Sequence, residues 1–115
     1  MAKTGEKSKK MIYVYNKTDD IFTVERPTKE KIRGSIDLDD IIIDINSRGS
    51  IAGVEILNAS KVLGVSKSML SNARKAELFA RQGTEYMLFK VVIWLDQQKF
   101  QFATNIPARS ELLSV

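Results

Sequence analysis

The apolar residues of this chain recur mainly at alternate positions, and this period-two pattern constrains the fold more than any other feature. The longest example is TEYMLFKVVIWLD, residues 84–96. One face of this segment carries Met87, Phe89, Val91, Ile93 and Leu95. Successive side chains of a strand point to opposite faces, so the alternation predicts a long strand that is buried on at least one side.

Five shorter segments have the same character. They are MIYVY (11–15), IFTVE (21–25), DIIIDI (40–45), IAGVEIL (51–57) and FQFATNI (100–106). β-branched and aromatic residues dominate them, and turn-forming residues separate most of them. PTKEKIRG (27–34) is predicted to be a loop. The short connections imply antiparallel neighbours.

Residues 58–80 depart from this period. Their apolar residues recur at helical spacing, namely Val62, Leu63, Met69, Leu70, Ala73 and Leu78. Gly64 is predicted to divide this helix into two pieces. The sequence therefore predicts an α+β fold: an antiparallel β-meander of about six strands, with one helix, broken or continuous, between strands four and five and packed on one face.

The length and composition suit one soluble domain. With 115 residues, of which 43% are hydrophobic, the chain can build one core but not two. We expect a disordered basic tail over residues 1–10, a single domain over 11–107 and a C-terminal tail over 108–115. No apolar run approaches the roughly 18 residues needed to span a bilayer, and no apolar core follows the N-terminal lysines. These features predict a cytoplasmic protein.

The chain contains no histidine and no cysteine. It therefore lacks the commonest general base and the commonest zinc ligands. The carboxylates Asp37, Asp39, Asp40 and Asp44 are interpreted as a solvated, acid-rich lead into a strand, since alternation would not bring all four together. We expect no catalytic residues, no metal and no cofactor, and we predict that the protein is not an enzyme.

The segment DINSRGSIAGVE (44–55) matches several positions of an EF-hand calcium loop. Asp44, Asn46, Gly49 and Glu55 fall at ligand or turn positions of that loop. However, Arg48 places a cation among the would-be ligands, and both flanks are strand-like rather than helical. The segment is therefore predicted to be a β-hairpin in which Gly49 supplies a positive φ.

The stretch from Ser35 to Lys61 resembles a prokaryotic family, the YuzE-like proteins, known as domain of unknown function 2283. The most specific part is G-V-E-I-L-N-A-S, residues 53–60, and the I-Y-V-Y and D-D-I-F segments of 12–15 and 19–22 extend the match. The resemblance implies a β-meander followed by a helix. It implies no chemistry, and an antitoxin-like or interaction role is only hinted at.

Residues 60–74 also resemble a DNA-binding helix-turn-helix, with Gly64 in the turn and Val65 and Leu70 as buried positions. Residues 59–76 carry four cations and no acid. The candidate nucleic-acid contacts are Lys61, Lys67, Ser68, Asn72, Arg74 and Lys75. The alternative is an amphipathic, solvated helix that covers the sheet.

The faces of residues 91–94, VVIW, are both apolar, so the sheet needs a second cover. A homodimer joined through sheet faces would supply it, with Trp94 and Val92 as the candidate interface. The leading prediction is thus an uncharacterised, non-catalytic protein-interaction module with a possible protein partner and no membrane association. The alternative function is nucleic-acid binding through residues 59–76.

Overall fold

A computed structural model of the chain describes residues 11–27 and 29–107. These residues form eight strands and two short helices. The elements are β1 (Ile12–Asn16), β2 (Ile21–Glu25), β3 (Ile32–Leu38), β4 (Ile41–Asn46), β5 (Ile51–Ile56), α1 (Ala59–Leu63), α2 (Lys67–Ser71), β6 (Ala73–Gln82), β7 (Tyr86–Leu95) and β8 (Gln98–Pro107).

The strands make two antiparallel sheets. The first sheet has the order β1-β2-β5-β4-β3, and the second has the order β6-β7-β8. In the first sheet Val24 lies opposite Val54, which lies opposite Ile43 on the other side. All three side chains are almost fully buried. β-branched residues at paired positions pack well on a pleated surface, and this explains why these segments choose the extended state.

Most of the tight turns use an asparagine, aspartate or glycine with a positive φ. Asp20, Asp39 and Asp96 occupy the turns after β1, β3 and β7, with φ of 57°, 61° and 48°. Gly49 has a φ of 81° in the turn between β4 and β5. Aspartate and glycine tolerate the left-handed region better than other residues, so these positions fix where each hairpin reverses.

The inward faces of the two sheets share one hydrophobic core. Phe22, Ile43 and Ile56 from the first sheet and Phe89 and Ile93 from the second are at most 1% exposed. The Tyr13 hydroxyl donates to the Ala73 carbonyl oxygen at 3.2 Å and ties the layers at one edge. Each sheet therefore has the other as its main cover.

The structure confirms antiparallel sheets with helical residues between them, and it corrects the predicted architecture. There are eight strands in two sheets rather than about six in one meander. The helical part consists of two five-residue helices between β5 and β6, separated at Gly64, which has a φ of 70°. A second sheet, not a helix, covers the first.

The predicted helix over 58–80 is wrong in its second half, where β6 runs from Ala73 to Gln82. The residues of β6 favour helix intrinsically, since Ala, Arg, Lys, Leu and Glu are good helix formers. However, Ala76 and Leu78 are buried while Lys75 and Phe79 are exposed, which is a period of two. Pairing with β7 along nearly its whole length overrides the local preference.

β3 was also missed. Residues 27–34 were predicted to be a loop, and residues 35–40 were predicted to be only a lead into a strand. This strand lies at an edge of the first sheet and contains Gly34 at a β-bulge. Half of an edge strand faces solvent, so its sequence carries few apolar residues and a weak signal.

The two tails predicted at 1–10 and 108–115 lie outside the described residues. Within residues 11–27 and 29–107, no helix is long and apolar enough to cross a membrane.

Candidate functional site

The segment that resembles a calcium loop is a β-hairpin, as predicted. The Asn46 side-chain oxygen accepts from the backbone N–H groups of Arg48 and Ser50, at 2.9 and 3.1 Å. Gly49 supplies the positive φ. Asp44 and Glu55 lie on opposite arms, and Asp44 faces Gly53 across the ladder. The asparagine oxygen thus organises the turn by bonding backbone donors.

Two of the four carboxylates between residues 37 and 44 have separate local partners. Asp44 accepts a hydrogen bond from the Ser35 hydroxyl at 2.7 Å, and Asp40 accepts one from the Asn58 amide at 3.1 Å. Asp39 occupies the turn after β3. Across residues 11–27 and 29–107, no three carboxylates, histidines or cysteines are grouped so that they could hold a metal ion.

Asp20 is the centre of a polar cluster that sequence reasoning did not single out. Its carboxylate is 7% exposed and accepts three hydrogen bonds. The Tyr15 hydroxyl donates at 2.6 Å, the Ser60 hydroxyl at 2.7 Å and the Ser60 backbone N–H at 3.0 Å. The Asp20 carbonyl oxygen accepts from the Ala59 N–H at 2.9 Å. The cluster joins the first hairpin to the start of α1.

The Asp20 cluster acts as a helix cap supplied from a distance. Asn58 precedes α1 in a left-handed conformation, and its side chain makes no capping hydrogen bond. The first N–H groups of a helix need acceptors, and Asp20 provides two. A carboxylate at this end also complements the helix dipole. The sheet thereby fixes where α1 begins.

The pKa values of Asp20 and Tyr15 are shifted in opposite directions, and both shifts lead away from neutral pH. Burial alone would raise the pKa of Asp20, but the hydrogen bonds from Tyr15 and Ser60 and the positive charge of Lys67 bring it below its usual value. Burial and the Asp20 carboxylate raise the pKa of Tyr15 to about 12. A general acid or base works best with a pKa near the working pH, so these directions suit a structural role.

The six candidate nucleic-acid contacts do not lie on one recognition helix. Lys61 is on α1, and Lys67 and Ser68 are on α2. Gly64 lies in the turn and Leu70 is 1% exposed, as the helix-turn-helix resemblance predicted. However, α2 ends at Ser71, because Asn72 is its C-cap and donates from its amide to the Ser68 carbonyl oxygen at 3.1 Å.

Arg74 and Lys75 belong to β6 rather than to a helix, which corrects their predicted placement. The Arg74 guanidinium donates to the Asp96 carbonyl oxygen at 2.9 Å. A cavity of about 370 Å³ lies at the end of the second sheet and is lined by Arg74 and Asp96 together with Met69, Asn72 and Leu95. Lys75 instead lies opposite Trp94 on the outward side of that sheet.

The outward side of the second sheet, called here the β6–β8 face, combines aromatic and cationic side chains. Strand alternation and register place fourteen residues on it: Lys75, Glu77, Phe79 and Arg81 of β6; Tyr86, Leu88, Lys90, Val92 and Trp94 of β7; and Lys99, Gln101, Ala103, Asn105 and Pro107 of β8. Its four cations stand against one carboxylate, a net charge of +3.

Several large apolar side chains of the β6–β8 face contact solvent. Tyr86 is 53% exposed, Phe79 45% and Leu88 43%. Trp94 is partly buried, and the Lys75 ammonium lies 4.8 Å from its ring centroid. The Lys90 ammonium lies 5.2 Å from the ring centroid of Phe79. Single exposed apolar residues are ordinary, whereas larger contiguous apolar patches are typical of the interaction sites of proteins.

Val92 and Trp94, the predicted interface residues, both lie on the β6–β8 face. Val92 is 4% exposed and sits between Glu77 and Gln101 across the ladder. A partner would therefore contact the side chains around Val92 rather than Val92 itself. Trp94 is accessible in part, at the end of β7.

The outward side of the first sheet, called here the β1–β5 face, has the opposite character. Its outward positions carry four carboxylates, namely Glu25, Asp37, Asp44 and Glu55. Strands β1, β2, β4 and β5 contain no lysine or arginine, and β3 contains one arginine, Arg33. Ile12 and Val14 of the edge strand β1 are 50% and 59% exposed.

The solvent-exposed members of the β6–β8 face that sequence reasoning missed include Phe79, Arg81, Tyr86 and Leu88. A signal for two of them was present in KAELFAR (75–81), where Ala76, Leu78 and Ala80 alternate with larger or charged residues. Read at a period of two, this segment predicts a strand with Phe79 and Arg81 facing outward.

The comparisons with known proteins concern mainly the first sheet. Residues 13–60 match the family described as "Protein of unknown function (DUF2283)". The chain is also similar to "Uncharacterized protein MJ0789" of Methanocaldococcus jannaschii, with 36% identity over 70 residues. That match covers 60% of this chain and 60% of the relative, so the chain spans less than two thirds of the relative's length. No solved structure matches. Residues 13–60, which contain the Asp20 cluster, are therefore similar to the DUF2283 family, as the sequence resemblance predicted.

Proposed function

We propose that this protein is a non-catalytic interaction module whose β6–β8 face binds an anionic macromolecule. The observation that carries the proposal is the coincidence, on one sheet face, of exposed aromatic side chains with a net charge of +3. Aromatic anchors supply contact area at low entropic cost, and the cations attract a negatively charged partner.

A non-catalytic role accords with the chemistry of the polar cluster. Tyr15, Asp20 and Ser60 use their hydrogen-bonding groups on one another and on the start of α1. The pKa of Tyr15 is raised and that of Asp20 is lowered, away from the range in which a proton is readily exchanged at neutral pH. The cluster therefore serves as the support of the fold.

A homodimer remains a prediction, but the packing no longer requires it. The dimer was predicted because the expected single sheet had two apolar faces and only one helix to cover them. In the structure the two sheets cover each other. A symmetric dimer through the β6–β8 faces would also bring two surfaces of net charge +3 together, which opposes association.

Nucleic-acid binding through residues 59–76 is the second candidate. Lys61 and Lys67 are exposed on α1 and α2, which favours it. However, α2 has only five residues, and Arg74 is engaged by the Asp96 carbonyl oxygen. Lys67 also acts electrostatically on Asp20. The β6–β8 face offers the same number of cations, four, and combines them with exposed aromatic rings.

The proposal is tested by site-specific photo-crosslinking in living cells. A photoreactive phenylalanine analogue replaces Leu88 on the β6–β8 face or Val14 on the β1–β5 face. Both positions are exposed apolar residues, at 43% and 59%. We expect macromolecular adducts from position 88 and none from position 14. Adducts of equal yield from both positions, or none from position 88, would contradict the proposal.

A further inference from the structure

We infer that the partner of the β6–β8 face is a single-stranded nucleic acid, with bases on its aromatic rings and phosphates on its cations. This inference rests on the proposed function, because it names the class of partner for the same surface. It does not involve residues 59–76 as a recognition helix, since only Lys75 belongs to both sets.

The three aromatic residues are spaced along the face at regular intervals. Trp94 and Tyr86 lie at opposite ends of β7, each four residues from Lys90. Phe79 lies directly opposite Lys90 on β6. With a rise of about 3.3 Å per residue, the rings occupy three levels separated by about 13 Å. A single-stranded nucleic acid that runs along β7 would therefore contact an aromatic ring at each level.

Cations accompany the rings at or near each level. Lys75 and Lys99 flank Trp94 across the ladder, and Lys90 faces Phe79. Arg81 lies opposite Leu88, between the levels of Phe79 and Tyr86. A nucleotide presents a flat base and a phosphate joined by a sugar, so it needs a ring and a cation close together.

The ring-to-ammonium distances show this arrangement. The Lys75 ammonium lies 4.8 Å from the Trp94 centroid, and the Lys90 ammonium lies 5.2 Å from the Phe79 centroid. The Lys75 ammonium is held in addition by the Glu77 carboxylate at 3.4 Å, on the exposed side of the sheet. A cation–π contact contributes about 0.5–1 kcal/mol and a stacked base about 1–3 kcal/mol, so a base can displace the Lys90 ammonium from the ring of Phe79. The released ammonium remains beside the bound strand.

The geometry favours single strands over duplexes and over acidic proteins. In a duplex the base faces are already stacked, so Phe79 and Tyr86 would have no base to contact. An acidic peptide would satisfy the ammonium groups but would leave the exposed rings against solvated carboxylates. A single strand satisfies both kinds of group at once.

The direct test uses Trp94, the single tryptophan of the chain, as the reporter. The full-length protein is titrated with an oligothymidine of about 12 nucleotides, within the usual range of site sizes. We expect the Trp94 fluorescence to be quenched as bases stack. With three or four phosphates neutralised, affinity should fall by about 20- to 50-fold between about 50 and 200 mM salt. Absence of binding at the lower salt would overturn the inference.

Matched double variants locate the site, with anisotropy of a labelled oligothymidine as the readout. Lys90→Ala with Lys99→Ala removes two charges from the β6–β8 face, and Lys61→Ala with Lys67→Ala removes two from α1 and α2. We expect at least about tenfold weaker binding from the first pair and a salt slope smaller by about 1.4. The second pair should bind normally. A larger loss from the second pair would overturn the inference.

Two further outcomes separate this inference from the proposed function. A labelled duplex of the same length that binds as tightly as the single strand would overturn the single-strand assignment alone. Nuclease treatment of the adducts from position 88 distinguishes the partner class. Nuclease-sensitive adducts support the inference, whereas purely protein adducts would overturn it and leave the proposed function standing. No adduct at all would overturn both.

Discussion

The two sheets bury similar apolar faces against each other, yet their outward faces differ in charge and in aromatic content. The β1–β5 face is acidic, with Glu25 and Glu55 on adjacent strands. The β6–β8 face is basic and carries partly or largely exposed aromatic rings. The first sheet also holds the Asp20 cluster and contains the DUF2283 match over residues 13–60. This division suggests that the first sheet secures the fold and that the second carries the binding surface.

The strongest test of this division removes the Asp20 carboxylate. In Asp20→Ala the Tyr15 hydroxyl and both Ser60 donors lose their acceptor. Hydrogen bonds to a charged group contribute about 1.5–3 kcal/mol each, and some are regained with water, so we expect a loss of about 3 kcal/mol in the free energy of unfolding. Urea denaturation of the variant and the unchanged protein measures this difference in the free energy of unfolding.

The neighbouring carboxylate provides the control for this variant. Asp19 is exposed and accepts only a 3.2 Å hydrogen bond from the Asn16 amide. Asp19→Ala should therefore change the free energy of unfolding by no more than about 0.5 kcal/mol. If Asp19→Ala and Asp20→Ala were equally destabilising, the cluster would not be the support of the first sheet.

The same cluster makes the free energy of unfolding depend on pH. It predicts a loss of stability at acid pH through Asp20 and at alkaline pH through Tyr15. The folded pKa of Asp20 is lowered, so its stabilisation is present above the unfolded value of about 3.9 and is lost as the pH falls through the folded pKa. The pKa of Tyr15 is raised from 10.0 to about 12, so its stabilisation is complete below pH 10.0 and is lost as the pH rises toward about 12.

Urea titrations across this range should therefore show a decline at both ends. In Tyr15→Phe the alkaline decline should become smaller, because no phenol remains to lose a proton. The contribution of Asp20 to the acid decline should also become smaller, because the Tyr15 hydrogen bond is the largest of the interactions that lower the pKa of Asp20. An unchanged alkaline decline in Tyr15→Phe would show that other groups cause it.

A third test compares one exposed apolar residue on each outward face. Tyr86 is 53% exposed on the β6–β8 face, and Ile12 is 50% exposed on the β1–β5 face. A stacked base contributes about 1–3 kcal/mol, so Tyr86→Ala should weaken oligothymidine binding by about tenfold. Ile12→Ala should leave it unchanged. Anisotropy titrations of both variants decide the matter, and equal effects would mean that the faces are not functionally distinct.

The sequence was sufficient to predict the elements whose apolar residues alternate strongly. The strands β7 and β8, the first hairpin and the turn at Gly49 were all predicted with nearly their observed bounds. In these segments the local preference, the hydrophobic period and the turn residues agree, and such agreement makes a segment predictable.

Prediction failed where local preference and tertiary pairing disagree. In β6, helix-favouring residues such as Ala76, Glu77 and Leu78 form a strand because β7 pairs with them. β3 was missed because it is an edge strand with a glycine at a bulge. The Asp20 cluster could not be read from the sequence, since Asp20 and Ser60 are 40 residues apart and meet only in the fold.

The β6–β8 face was missed as a consequence of the error in β6. Trp94 and Val92 were recognised as a candidate interface on their strand, but their neighbours on β6 were assigned to a helix. Lys75 approaches Trp94, and Phe79 approaches Lys90, only once β6 pairs with β7. A surface made from several strands can be predicted only when all its strands are correctly assigned.

The smallest expected effect concerns the carboxylates of the β1–β5 face. Glu25→Gln with Glu55→Gln removes two negative charges but should not alter oligothymidine binding at about 150 mM salt. Stacked sheets lie about 10 Å apart, and charges on their outward sides are farther apart still, beyond the screening length of about 8 Å. At about 10 mM salt that length grows to about 30 Å, and the same variant should bind slightly more tightly. Tighter binding at both salt concentrations would indicate that the nucleic acid reaches the acidic face, and the two outward faces would then not act independently.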